Sequence, residues 1–434
     1  MSYNTIIIGG GIAGLVAAYN LVKKGYRPLV LEKDPDIGGL VSSYNFEDFS
    51  IERYYHHLFP HEYALLELID ELGLGKEIEW KRGSVGYWIE EKAYLLDTPW
   101  EILRYPHLSL ADKTRLARFV LKIKSVKDFS ALDSITACDW VKKNCGEDVY
   151  TNFFGPLLKS KFGSTAPKIS AAWLCGRIKR RAGRSVRGEK LGYFKKGFSL
   201  LVNRLVSEIR KKGEILVNSP VNQIIIENNE VKGVKLANGK TYVTSSAIST
   251  IAPEILIKLC KFPFQTQKTL ESLKSQSVIC ALLGLKKSLM NTYWLNIKSK
   301  TLPFGILIEH TNFYQIPEYS NVHIVYAVSY HNSPNDQFYQ KSDEGVIQDY
   351  LKGLRGMFNL NERDVLWWKV SRTTEAGPIY HVNYGSNLPP YSSGIKGLFI
   401  TGMMHSYPDR EIDDAVLQGQ KCSNMLLNHL GKAT

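Results

Sequence analysis

The stretch "TIIIGGGIAGLVAAYNLVKKGYRPLVLEKD" (5–34) constrains this chain more than any other. Ile6 to Ile8 form a short β-branched run suited to a buried parallel strand. Gly9, Gly11 and Gly14 follow as G-x-G-x-x-G. Gly9 permits a tight turn, Gly11 lets the backbone approach a pyrophosphate, and Gly14 lets a helix pack close to the strand. That helix carries Leu15, Ala18, Leu21 and Val22 on one side and stops at Lys24-Gly25. Its free first-turn N–H groups, around Ile12 and Ala13, face the phosphates with the positive end of the helix dipole. "RPLVLEKD" is a second strand ending at Glu32 and Lys33, about twenty residues past the glycines, where an acid accepts from ribose hydroxyls. A lone glycine motif is weak; strand, helix and acid at the right distance together predict dinucleotide binding.

The rest of the chain has room for more than this unit. Its 434 residues suffice for two or three packed units, and 44% hydrophobic with 22% charged content fits a globular protein. No window approaches a bilayer-spanning apolar run, and "MSYNTIIIGGG" offers no cleavable signal. Six scattered cysteines without a Cys-x-x-Cys pair argue against structural zinc and a disulfide framework, and for a reducing, cytoplasmic setting. The net charge of +13 concentrates in "RIKRRAGRSVRGEKLGYFKK" (177–196), with nine Lys/Arg and one Glu. A solvated face, a phosphate- or carboxylate-bearing partner and an anionic membrane surface are its open readings. Nucleic acid is not expected, since no nucleic-acid module is visible.

Further along, "HEYALLELIDELGLG" (61–75) has helical spacing closed by Gly73. "LADKTRLARFVLKIK" (110–124) predicts an amphipathic helix with Leu116, Phe119, Val120 and Ile123 on one side and Arg115, Arg118 and Lys122 on the other. A surface helix and a membrane or partner contact are both open for it. Residues 193–253 return to α/β alternation: a helix at about 199–212, a strand "EILVNSPVNQIII", a hairpin turning at "ENNE" and "ANGK", and a buried strand "SSAISTIAP". Residues 254–385 are rich in β-favouring runs, with a helix near 343–358. The end, "GLFITGMMHSYPDREIDDAVLQGQKCSNMLLNHL" (397–430), is again strand, glycine (Gly402), loop and a helix from about Asp413.

These residues together resemble the flavin-containing amine oxidase superfamily, in particular its protoporphyrinogen-oxidase-like and phytoene-desaturase-like branch. The two ends of the chain carry the resemblance most firmly, with "DIGGLVSSY" (36–44) supplying a second Gly-Gly after the ribose acid. The resemblance implies non-covalent FAD, with Gly38, Gly39 and Leu40 along its pyrophosphate and ribityl side. It implies Val221 of Pro220-Val221 at the adenine edge, and Gly402, Met403, Asp414, Ala415 and Val416 covering the flavin ring. Two positions depart from the family pattern: Leu40 replaces the arginine of Gly-Gly-Arg, and Met403 replaces the acid or arginine that often follows the last strand.

The implied fold class is α/β, an FAD-binding Rossmann-type (glutathione-reductase-like) domain assembled from three segments. These are 1–60, 193–253 and 386–434. A mixed α+β substrate domain takes 61–192, its mainly helical part, and 254–385. The implied activity is an FAD-dependent oxidoreductase, with hydride passing from an anionic or lipid-linked small molecule to flavin N5. Without a second G-x-G-x-x-G, electrons come from or go to an external partner. A more distant resemblance, to UDP-galactopyranose mutase, keeps open a flavoenzyme acting on a nucleotide sugar without net redox change.

Three histidines crowd "IERYYHHLFPHEY" (51–63). Pro60 between His57 and His61 disfavours a helix on which both would face one ion, so no metal is expected. His56 and His57 become candidates for flavin contact or proton handling, and alternation along an extended segment predicts that one of them, not both, faces the flavin. His61 is expected to start the next helix. Lys161 is the third catalytic candidate. Tyr55, Arg177, Arg180 and Tyr380 are substrate candidates, with the arginines clamping an anion. Asp409 and Arg410 are expected to pair with each other.

Overall fold

The computed structural model describes residues 3–181 and 188–431, so 182–187 of the basic run lie outside the described residues. A parallel five-stranded sheet draws its strands from widely separated parts of the chain. Its order is Leu398–Ile400, Ala247–Ser249, Thr5–Ile8, Pro28–Leu31 and Glu214–Leu216. These strands are short and apolar on both faces because both faces are covered. Ile7, Val30 and Ile248 pack toward the helices Ile12–Lys23, Ser199–Ile209 and Ile412–Gly431; Ile6, Ile8, Leu29 and Leu31 share a core with Ile224, Val231 and Val234 of a three-stranded antiparallel sheet.

Two glycines set how closely the layers approach. A Cβ on Gly14 would lie 2.0 Å from the Gly9 carbonyl oxygen, and one on Gly419 would lie 2.5 Å from that of Ala13. The first helix therefore sits directly on the strand-turn, and the C-terminal helix directly on the first.

A second sheet of seven strands runs in the order Val365–Pro378, Ser275–Leu285, His323–His331, Ile306–Glu309, Trp294–Ile297, Val85–Ile89 and Lys92–Leu95. Helix Asp343–Phe358 covers one face, over Ile279, Ala281 and Leu283. The opposite face, with Val278, Cys280 and Tyr326, looks toward the 51–59 stretch. A helical layer, Pro99–Arg104 through Ala171–Arg181, packs against the second sheet. Among the described residues, no helix is long and apolar enough to cross a membrane.

The structure corrects three sequence expectations. "EILVNSPVNQIII" is two strands on different sheets, Glu214–Leu216 and Val221–Glu227, because Asn218 takes φ +49° and Pro220 follows. Residues 78–95 are strands, not helix, and Val85–Ile89 pairs in parallel with Trp294–Ile297. The helix expected at 61–75 spans Tyr63–Glu71 with Glu62 as its N-cap; His61 lies outside it and bonds Glu411 instead.

Gly14→Ala should lower stability by about 1–3 kcal/mol or more through overpacking. Gly356→Ala, in the exposed helix Asp343–Phe358 with nothing within 4 Å of the new Cβ, should raise it by about 0.5–1 kcal/mol. Chemical denaturation of both variants checks the pair.

Candidate active site

The glycine turn is built by contact with the second Gly-Gly. Gly38 N–H donates to the Gly10 carbonyl at 2.9 Å, Gly11 and Gly38 form a parallel bridge, and a Cβ on Gly39 would stand 3.1 Å from the Gly11 Cα. Gly38 and Gly39 both take positive φ, +115° and +60°, which side chains rarely adopt. Glu32 holds the turn from below: Oε2 accepts from Gly10 N–H at 2.7 Å and Oε1 from Asp34 N–H at 3.0 Å. Each oxygen keeps a second lone pair. Lys33 is exposed at the rim, and Leu40 is half-buried.

No side chain caps the first helix at Gly11, and its first turn holds no acid. Its N–H groups at Ile12, Ala13 and Gly14 thus suit an anionic phosphate group. Ser219 N–H donates to the Glu32 carbonyl at 2.7 Å, which brings Pro220-Val221 beside the ribose acid. Gly402 closes the other side at φ +118°, where a Cβ would meet the Thr250 carbonyl oxygen at 2.7 Å. A cleft beyond it is lined by Thr250, Ala252, Gly377, Tyr384, Met403 and Met404. Turn, acid and uncapped helix end fit FAD, with apolar Met403 where a charged contact would otherwise stand.

The 51–59 stretch then crosses between the sheets. His56 Nδ1–H donates to the Tyr54 carbonyl at 2.7 Å, and its ring lies 5.7 Å from Phe198. His57 Nδ1 shares a 2.8 Å hydrogen bond with the Tyr293 hydroxyl, and its ring meets Phe59 and Trp294. The two histidines therefore diverge. Burial lowers His56 to about 4 and His57 to about 3, so both are neutral near neutral pH. Tyr55 reaches Tyr330, hydroxyl to hydroxyl at 2.7 Å, and packs edge-on against Trp294.

Beside this aromatic wall the structure gathers cations. Lys161 is surrounded by rings, with Nζ 5.5 Å from the Tyr330 centroid and 5.7 Å from that of Trp173. Burial, then repulsion from Arg177 and Arg410, holds its amine well below the usual lysine range. Lys159, by contrast, is exposed. Asp409 accepts from Trp173 Nε1 at 3.0 Å and pairs with Arg177 at 3.3 Å. Burial alone would raise its pKa, but Arg177, Lys161 and Arg180 outweigh burial and keep it low. Arg410 lies against Gly377 and touches Met403 Sδ at 3.9 Å. The expected Asp409–Arg410 pair is not formed, and among the described residues no carboxylate lies within ion-pair distance of Arg410.

Arg180, expected to clamp an anion, is committed elsewhere. It forks onto Asp414 at 2.9 and 3.1 Å and reaches Glu411 at 2.9 Å. Asp414, expected to cover the flavin, is thereby turned to the helical layer; half-buried Ala415 and buried Val416 stand in the next turn. Glu411 also takes His61. Two helix starts cap each other: Glu62 accepts from Asp413 N–H, and Asp413 accepts from Leu65 N–H. Tyr380 is fully buried and donates to the Ser406 carbonyl at 2.9 Å, which shapes the loop before Asp409 without presenting its hydroxyl to a cavity.

Trp173, Tyr293 and Tyr330 were not read as site residues. Tyr330 sits in a regular strand, 275 residues from Tyr55, and nothing local marks it. The motif "YPDREIDD" did mark Arg410, yet pointed it at the wrong partner.

A dinucleotide turn, a cleft closed by the last strand and helix, and a buried aromatic and cationic cluster beside it define an FAD-dependent oxidoreductase. The model of the flavin containing amine oxidoreductase family matches residues 12–427, and the chain belongs to that family. It is 23% identical over 459 residues to 15-cis-phytoene desaturase of Arabidopsis thaliana, covering 97% of this chain and 79% of that protein. Cyclohexylamine oxidase from Brevibacterium oxydans superposes with a TM-score of 0.74 at 16% identity, covering 99% of this chain and 100% of that one. Reduced UDP-galactopyranose mutase gives 0.73 at 17%, covering 98% and 96%.

Arg180→Ala should destabilise the protein by about 3–5 kcal/mol, because Asp414 and Glu411 lose their shared cation in a buried setting. Thermal unfolding checks it. The histidines give a pH dependence of definite sign. Unfolded His56 takes a proton below its ordinary 6.5, whereas the folded form resists until about 4, so its contribution to stability is present above 6.5 and lost as pH falls toward 4. His56→Gln should flatten the stability slope across that window by about 1.4 kcal/mol per pH unit.

Proposed function

We propose that the chain oxidises an anionic or lipid-linked small molecule, with hydride passing to flavin N5 and electrons leaving to an external acceptor. In this reading segments 1–60, 193–253 and 386–434 hold FAD, and 61–192 with 254–385 hold the substrate. The single observation that supports it is the gathering of Arg177 and Arg410 around Lys161, beside Tyr55 and Tyr330, with one carboxylate, Asp409, paired to Arg177. One acid compensates one guanidinium, so a bound anion balances the second.

Bound FAD supplies the two-electron acceptor; the residues supply the rest. Gly9, Gly11, Gly14, Ile12, Ala13, Gly38, Gly39 and Glu32 cradle its pyrophosphate and ribose, Val221 its adenine, and Gly402, Met403 and Val416 its ring. Arg410 and Arg177 orient the anion. Lys161, whose amine is held well below the usual lysine range, is the base assigned to the proton that the substrate loses as its hydride departs. Tyr55 and Tyr330 wall out water. His56, directed toward Phe198 of the dinucleotide half, is the histidine that faces the flavin, and His57 belongs to the wall. A lipid-linked substrate also needs access to a bilayer, for which helix Leu110–Lys124 is the proposed contact.

Purified protein should be yellow and release FAD on denaturation. Mass spectrometry of a co-purifying ligand should return an anion that bleaches the oxidised flavin without oxygen. With that ligand, Lys161→Met should cut kcat roughly 100-fold and Arg410→Leu should raise KM roughly 10- to 100-fold. Isomerisation of a UDP-sugar by the reduced protein, with no net flavin oxidation, would replace this reading by the mutase-like one.

A further inference from the structure

The outward side of the helical layer is not uniformly polar. Along helix Leu110–Lys124 the buried face is Asp112, Leu116, Phe119 and Ile123. On the opposite side Leu110 and Leu121 are 75% and 64% exposed, and with Thr114 and Ala117 they share one line at helical spacing. Lys113 and Lys124 flank that line on one side, Arg118 and Lys122 on the other. The preceding helix, Pro99–Arg104, adds Trp100 and Leu103, 67% and 48% exposed. Lys113 Nζ donates to the Leu103 carbonyl at 2.8 Å, which joins the two helices into one ridge.

The charges around the ridge have one sign. Residues 98–127 hold seven Lys/Arg and two acids, an excess of 7 − 2 = 5. Both acids are used inside the fold: Glu101 accepts from Thr98 and Asp97 N–H, and Asp112 closes the capping box with Ser109 while pairing with Arg115. Arg104, Arg118 and Lys124 are therefore left pointing outward around exposed Trp and Leu side chains. A tryptophan and leucine ridge between rows of cations has the chemistry of an interfacial helix on an anionic bilayer.

We propose that Trp100, Leu103, Leu110 and Leu121 insert into the headgroup region of an anionic phospholipid bilayer, with Arg104, Arg118 and Lys124 on the headgroups. This deepens the membrane contact proposed above and rests on it. It also moves that contact from the basic side chains alone to an apolar ridge over two helices. Helix Leu110–Lys124 packs on helix Ala171–Arg181, which carries Trp173 and Arg177. The docked face thus lies one helix behind the candidate pocket.

The test is co-sedimentation of the FAD-loaded protein with vesicles of phosphatidylcholine, alone or mixed with phosphatidylglycerol. Binding is expected to the mixed vesicles, weakening as salt rises. Arg118→Gln with Lys124→Gln should weaken it about fivefold per charge. Trp100→Ser with Leu110→Ser should weaken it at least about tenfold. An unchanged flavin spectrum in both variants shows that they fold. No binding to mixed vesicles at low salt, or binding that both variants leave intact, overturns the proposal. So does a patch that merely joins two copies, seen as a dimer that the Trp100/Leu110 variant splits while no vesicle is bound. Sedimentation reads the membrane contact whatever the flavin does, so its failure and that of the hydride reading are separable.

Discussion

The ion-paired contact between helix Ala171–Arg181 and the 409–414 loop is what the candidate pocket depends on. Arg177 and Arg180 project from one helix face onto Asp409, Glu411 and Asp414, which immediately precede or open the C-terminal helix. That helix in turn packs on the first helix through Gly419. Through this chain of contacts the helical layer is registered against the dinucleotide turn. Buried ion pairs add little net stability over apolar packing, because desolvation offsets the Coulomb gain, but breaking one is costly. Their contribution here is position: they hold Trp173, Lys161 and Arg410 around one spot.

The same contact sorts the arginines by task. Arg180 faces two carboxylates and is fully compensated, so it is a structural cation. Arg177 shares Asp409 with Trp173, and among the described residues Arg410 meets the Met403 thioether and no carboxylate. Low dielectric then magnifies the imbalance. Burial and two neighbouring guanidiniums pull the Lys161 amine below its usual range, while the neighbouring cations hold the Asp409 carboxyl low against the effect of burial.

Much of this was legible before any coordinates. The βαβ unit, the helices Leu110–Lys124 and Asp343–Phe358, the hairpin at Asn228-Asn229 and the last strand-turn-helix all rest on local periodicity and turn chemistry, and the structure places them where those signals put them. Less legible were features set by distant partners. The break at Asn218-Ser219-Pro220 follows from Ser219 bonding Glu32, and the strands at 78–95 follow from pairing with Trp294–Ile297 and Glu189–Phe194. Asp409 and Arg410, adjacent in sequence, point apart because each is claimed by a different segment, Asp409 by Trp173 and Arg410 by the backbone at Gly377.

By itself the sequence determined the dinucleotide turn, the acid that steadies it and the family that follows from both. Glycine spacing and strand-helix alternation are local properties, and only one local fold satisfies them. The identity of the pocket was decided by tertiary structure alone. Tyr55 and Tyr330, and Arg177 and Asp409, are brought together across 275 and 232 residues. Which cation stays uncompensated depends on a count of neighbours in space, a quantity that order along the chain does not encode.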